Sequence, residues 1–498
     1  MFKQLFRRKN LDQILRDSEV GENKLKRALG SFDVVMLGIG AIIGAGIFAT
    51  IGTAAAGDLA RPGAGPALIL SFVITAVACG FAALCYAEFA AMVPISGSAY
   101  TYSYATMGEL IAWIIGWDLI IEYAVGNVAV AISWANYFKT LMAGFGIYFP
   151  DWISTDYTTA AKIPGLFASA PHLFGIPIVF NILAFGIVAL ITIVLVIGIR
   201  ESASMTNAMV ILKLIVLGFF VFVGFKFVHP ENWHPFAPNG WAGVQAGAAI
   251  VFFAYIGFDA VSTVAEEVRN PKRDLPIGII GSLIICTVIY IVVAAVFTGI
   301  IPFPDLVKML ATQQAEPLTM ALQYAKIGRW AGFSIGLVAF GSVIAHTAVL
   351  LVFQLGQPRI FFSMARDGLL PPVFAKVHKR FRTPHVTTIM TGVAVGVCSM
   401  FTSIDEMVDL TNIGTLFAFV LVCIGILILR KRDPDRPRAF RTPWVPVIPI
   451  LGILSCCYLM LGLPWITWAR FGIWLVLGMG IYLMYGINKS KLNAEFRG

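Results

Sequence analysis

The sequence predicts an all-α integral membrane protein of about twelve transmembrane helices, and three observations carry that expectation. Apolar runs of about 20 residues recur along the whole chain, each long enough to cross ~30 Å of hydrocarbon as a helix. The composition is 58% hydrophobic and only 13% charged, with a mean hydropathy of +0.84. The basic residues gather in short stretches between alternate runs, as loops on one membrane face do. The runs cover residues 32–57, 66–93, 106–143, 177–199, 202–228, 241–268, 276–301, 329–362, 384–402, 409–430, 444–464 and 469–487. The third and eighth are longer than one crossing needs, which implies tilt or extension past the bilayer.

Charge placement sets the orientation. Of the 36 Lys and Arg residues, 27 fall on one side of this topology, eight on the other, and one, Lys213, inside a span. That asymmetry is the positive-inside rule, and it puts both termini in the cytoplasm with an even number of spans. No secretory signal is read in the first 30 residues, which carry charges of both signs and no apolar core. The net charge of +9 then reports orientation in a cell (inner or plasma) membrane, and no nucleic-acid partner is expected. The seven cysteines lie in apolar runs, so neither disulfides nor a metal site is expected, and no cofactor is called for.

Between the spans the elements are short. Residues 9–29 place Leu11, Ile14, Leu15, Leu25, Ala28 and Leu29 at helical spacing among charges. Two readings stand there, an amphipathic helix lying on the inner membrane surface and a plain solvated helix. The SGSAYTYSYATMGE stretch predicts a short interfacial helix, residues 144–176 an external loop with three prolines, and residues 317–328 a short external helix.

The first span holds Gly38-Ile39-Gly40-Ala41-Ile42-Ile43-Gly44-Ala45-Gly46-Ile47-Phe48. A helix crossing lipid must satisfy every backbone group internally, so glycines at 38, 40, 44 and 46 invite unwinding where it is most costly. Freed N–H groups at a half-helix start favour a carboxylate, and freed carbonyls favour an ammonium group, the two ends of a zwitterion. The other reading is a close-packing face built on Gly40 and Gly44. The sixth span is interrupted at Phe252-Phe253-Ala254-Tyr255-Ile256-Gly257-Phe258-Asp259. Two interrupted segments at matching positions of opposite orientation point to an inverted-repeat transporter with its site at the midplane.

GIGAIIGAGIF in the first span, CYAEFAAMVPISGSAYTYSYATMGEL after the second, FFAYIGFDAVSTVAEEVRNPKRDLPIGI in the sixth and PRIFFSMARDGLLPP after the eighth carry a family likeness. They resemble the cationic amino acid transporter branch of the amino acid/polyamine/organocation (APC) superfamily, in a bacterial member. The resemblance covers nearly the whole chain. It implies a LeuT-like fold of five-plus-five inverted repeats, here 31–228 and 240–430, with helices 1 and 6 broken. A cytoplasmic segment 1–30, a basic loop 431–443, helices 11 and 12 over 444–488 and a tail 489–498 lie outside the repeats. It also implies an L-amino acid substrate and alternating access. Carried over residue by residue, the amides of Gly44, Ala45 and Gly46 would hold the substrate carboxylate. The carbonyls of Ile42, Phe253, Ala254 and Ile256 would hold its amino group, and the Phe253 ring would cap it. Simple helix packing is the alternative for Phe253.

Lys213 sits deep in ILKLIVLGFFVFV, and an intramembrane ionisable residue is a functional candidate by default. In proton-coupled relatives a fifth-span lysine takes the place of sodium, touching carbonyls of the broken first helix and of the eighth span. Lys213 matches that position, so protons are the expected coupling ion; snorkelling is the alternative. Glu122, in WDLIIEYAVGN, would pair with Lys213, relay a proton or contact a cationic substrate, although mammalian members need not carry a glutamate there. Asp259 reads as a cap of the second half-helix, His346 as a hydrogen-bonded core histidine, and Glu266, Glu267, Arg269 and Lys272 as an intracellular gate network or a solvated helix end.

The function expected is proton-coupled amino acid symport; the alternative is an amino acid exchanger on the same fold. Lys213 in the cation site disfavours a sodium symporter. An enzyme is not expected, because six scattered histidines and the lack of an HExxH motif leave no catalytic constellation. No repeated filter-like loops suggest a channel. Substrate preference leans to small neutral amino acids, with cationic ones close behind, and a small membrane partner is left open.

Overall fold

The computed structural model describes residues 5–9, 28–93, 98–198, 203–312 and 316–492. Among them nine helical stretches are long and apolar enough to cross a membrane: Ser31–Ala56, Gly65–Met92, Glu109–Ala143, Ser204–Phe227, Gly240–Glu267, Pro271–Ile300, Gly328–Arg366, Ile404–Arg432 and Trp465–Lys489. Three shorter apolar helices, Ile182–Ile197, His385–Phe401 and Val447–Leu461, complete the order of twelve spans. Among the described residues, sheet is confined to one two-residue pair, His172–Leu173 with Ile176–Pro177, in the loop before the fourth span. The expected helix over 9–29 falls mainly on residues outside the described ones.

Both described ends of the chain lie on one side of the bundle, called the terminal side below. There Glu109 N donates to Arg7 O at 2.8 Å, and Lys491 N donates to Asp367 O at 3.0 Å. The seventh span packs along the first and second, the eighth along the third, the fourth against the ninth, and the tenth against the eleventh. The interfacial helix runs over Ser98–Thr106. The helix expected over 317–328 stops at Tyr324, where Ala325 caps it, and a second short helix, Phe303–Thr312, precedes it. All seven cysteines are free thiols.

The first and sixth spans cross the middle of the bundle and are latched at both sides. On the terminal side, Ala28 N and Leu29 N donate to Glu267 O at 2.9 and 3.0 Å, and Arg269 N donates to Leu29 O at 2.9 Å. Main chain thus contributes to the junction at which a network of charged side chains is expected. On the opposite side, the buried Arg61 donates to Asp58 at 2.6 Å and to Asp409 of the tenth span at 2.8 Å. This buried pair ties the loop after the first span to the tenth span.

Glu316, ahead of the Pro317–Tyr324 helix, accepts from Thr140 of the third span and, at 3.2 Å, from Thr319. Burial pushes its carboxyl up from 4.5 to about 7. Between these two values the folded chain keeps a proton that the unfolded chain releases, so stability falls as pH rises from about 4.5 to 7. The contribution is at most about 3 kcal/mol. Glu316→Gln keeps the acceptor oxygen and removes the titration. Its melting temperature should exceed that of the native protein at pH 8 and match it at pH 4.5; equal melting curves at pH 8 would refute the assignment.

Candidate functional site

The first span is helical over Ser31–Ile42, and Ile43 then turns to an extended conformation, φ −75° and ψ 102°. Helix resumes as a wide turn over Gly46–Thr50 and ordinary α-helix over Ile51–Ala56. The sixth span is α-helical over Gly240–Val251, tightens to a 3₁₀ turn over Phe252–Tyr255, opens at Ile256 and Gly257, and continues as 3₁₀ helix over Asp259–Glu267. Gly257 has φ +120°, and a Cβ there would stand 2.8 Å from the carbonyl atoms of Ala41. The two breaks therefore touch, and only glycine fits both the dihedral and the approach. At Gly46 a Cβ would fall 2.1 Å from Ala254 Cα, so the second contact is equally close. Both readings of the glycine stretch hold: the helix opens, and small residues bring backbones together. A Cβ on Gly40 would meet Val210, and one on Gly44 would meet Val349.

Opening a helix frees carbonyls, and four side chains from neighbouring spans take them. Lys213 of the fifth span, fully buried, donates to Gly40 O at 2.6 Å and Ile43 O at 3.0 Å. Among the described residues both of its hydrogen bonds fall on the first span; the eighth-span carbonyl expected from the resemblance is not a partner. Tyr290 of the seventh span places its hydroxyl 3.0 Å from Ile42 O and 2.9 Å from Ala254 O. Having one proton, it donates to one of the two broken helices at a time. Tyr137 donates to Phe48 O at 2.6 Å, and Asn412 donates to Ala249 O at 2.8 Å.

Of the expected site residues, Ile42, Gly44, Ala45, Gly46, Phe253, Ala254 and Ile256 are all buried at this double break. Ile42 and Ala254 share Tyr290. Phe253 is 5% exposed. Glu122 is placed differently from one expectation: it does not meet Lys213. Its carboxyl lies against that of Asp259 and the hydroxyl of Thr415, with Asp118 nearby. The reason is position: Glu122 sits in a wide turn, Ile121–Val125, packed against the eighth, ninth and tenth spans, and from there its carboxyl reaches Asp259 of the sixth. The Asp259 carboxyl lies over the amides at the start of its own half-helix, looser than hydrogen bonds. Tyr86, Tyr102 and Ser262 bring further buried hydroxyls without a protein partner among the described residues. His346 donates from Nδ1 to Ser342 O at 2.6 Å, and its Nε2 is 2.7 Å from the Ser133 hydroxyl, the satisfied core histidine expected.

Three residues escaped the sequence reading. Tyr290 stands in the apolar run ICTVIYIVVAA, where only its hydroxyl distinguishes it. Asp118 is buried one turn before Glu122, and the four-residue spacing was the available signal. Arg61 followed the first span as an ordinary loop cation.

A family model described as amino acid permease matches residues 29–482. The branched-chain amino acid permease BcaP of Bacillus subtilis is 47% identical over 489 residues, 98% of this chain and 99% of that protein. The methylthioribose transporter of the same organism is 42% identical over the same shares. A vacuolar cationic amino acid transporter of Arabidopsis thaliana is 38% identical over 87% of this chain and 64% of its own length. With the double break and a family match across nearly all twelve spans, the chain belongs to the amino acid permease family of the APC superfamily, a multi-pass membrane transporter and not an enzyme.

Proposed function

We propose that this transporter is a proton-coupled symporter of neutral L-amino acids working by alternating access. The observation that carries the proposal is the Lys213 ammonium seated on the Gly40 and Ile43 carbonyls, at the break itself. Protonated, it pins the first span to the fifth; deprotonated, it loses the charge that makes both bonds strong, and the half-helix is released. The buried Glu122 carboxyl, set against that of Asp259, is the second station. The amides of Gly44, Ala45 and Gly46 hold the substrate carboxylate, and the carbonyls of Ile42, Phe253, Ala254 and Ile256 its amino group under the Phe253 ring. Tyr290 yields its bonds to Ile42 and Ala254 as the amino group arrives. Val349 against Gly44 makes the neighbouring wall apolar, and the relative named for branched-chain amino acids supports a neutral substrate. The terminal side faces the cytoplasm of a bacterial plasma membrane, an orientation that the basic-residue bias supports. The repeats run over 31–228 and 240–430.

Liposomes containing the purified protein and driven by an inward proton gradient should accumulate labelled leucine or valine. Lys213→Ala should cut that uptake at least tenfold and abolish its response to the gradient; wild-type uptake indifferent to the gradient would refute coupling. Influx that requires internal amino acid would establish the exchanger instead. Tyr290→Phe should lose about 1 kcal/mol of stability, the scale of one buried interhelical hydrogen bond, and tighten leucine binding by freeing the two carbonyls. Unchanged melting and affinity would remove Tyr290 from the site. In a thermal-shift panel of the twenty amino acids, valine, leucine and isoleucine should raise the melting temperature while arginine and lysine leave it in place; the reverse pattern would assign a cationic substrate.

A further inference from the structure

Away from the breaks, the fourth and ninth spans part to leave an apolar groove of about 320 Å³, lined among others by Phe185, Ala189, Ile193, Val196, Ile389 and Val393. Ile193 is 59% and Val393 55% exposed, so the groove opens outward, towards hydrocarbon in a membrane. From Phe185 to Ile197 its wall follows about 18 Å of helix.

Its terminal-side end carries a built basic turn. Lys376, Lys379, Arg380 and Arg382 are all exposed, and among the described residues none of the four forms an ion pair. His378 organises the turn: its amide donates to Thr383 O at 2.9 Å, its carbonyl accepts from Arg382 N at 2.9 Å, and its Nδ1 accepts from the amides of Arg380 and Phe381, each at 3.2 Å. Thr383 Oγ1 then donates to Val196 O at 2.8 Å, which fastens the turn onto the wall of the groove. Cationic turn and apolar groove are thus one continuous surface.

We propose that this surface binds one anionic phospholipid, with an acyl chain in the groove and the phosphate on Lys379, Arg380 and Arg382. Either half alone selects poorly: hydrocarbon in an apolar groove gains little over hydrocarbon in bulk lipid, and isolated surface cations attract any anion. Joined, they require a chain and a negative head in one molecule. The charge argues against a second copy of this chain, which would bring the same cations together. The size argues against a partner helix, whose width of about 10–12 Å exceeds a groove between two packed helices.

The full-length protein, purified in detergent, is titrated with phosphatidylglycerol, with phosphatidylcholine of the same chains, and with glycerol phosphate, reading retained adducts by native mass spectrometry and the melting temperature. Phosphatidylglycerol should be retained and raise the melting temperature above the other two. Arg380→Gln with Arg382→Gln should weaken its binding about tenfold or more while leaving phosphatidylcholine binding unchanged. Ala189→Trp, which fills the groove, should weaken it similarly, with Val393→Phe as the milder filling if the first variant elutes aggregated. Equal effects of the two lipids, an equal effect of glycerol phosphate, or phosphatidylglycerol retention surviving either the charge change or the groove filling would each overturn the proposal. None of these readouts depends on transport.

Discussion

Everything in this structure turns on backbone carbonyls that a broken helix leaves open inside a membrane. Each such group costs several kcal/mol if left unmet in hydrocarbon. Lys213, Tyr290, Tyr137 and Asn412 meet Gly40, Ile43, Ile42, Ala254, Phe48 and Ala249 from four different spans. The breaks persist because the surrounding helices supply donors at the required places. In the proposed mechanism those donors are also the means of control, since a donor that can lose its proton, or be displaced by a ligand's ammonium, changes what the backbone prefers.

The close approaches explain how a local change moves a large body. Gly257 lies on Ala41, Gly46 on Ala254 and Gly38 on Ser282, at distances that leave no room for a Cβ. The first and sixth spans therefore shift together rather than slide past one another. Main chain joins Leu29 to Glu267 and Arg269 on the terminal side, and on the opposite side the buried Arg61–Asp409 pair ties the loop after the first span to the tenth.

The spans were legible because hydrocarbon thickness imposes length and composition on every crossing segment. The breaks were legible because glycine at mid-span is expensive unless used, and Lys213 because a buried ammonium announces a partner. Tyr290 was not legible, since one hydroxyl in an apolar run looks like packing until its distance to two carbonyls is known. Of the three expectations for Glu122, the pairing with Lys213 is not met for a related reason. Lys213 and Glu122 were the conspicuous charges, but which charges meet depends on helix rotation, and the wide turn at Ile121–Val125 directs Glu122 to Asp259 instead. Arg61 could be paired with Asp409 only once the loop between the first two spans was placed against the tenth.

The central claim is that the two breaks grip both charged ends of a free amino acid. An experimental structure of the protein saturated with leucine tests it most directly. The account predicts the carboxylate at the amides of Gly44 to Gly46 and the ammonium at the carbonyls of Ile42 and Ala254, with Tyr290 displaced from at least one of them. Leucine bound elsewhere, or both spans wound through as continuous helices, would contradict it.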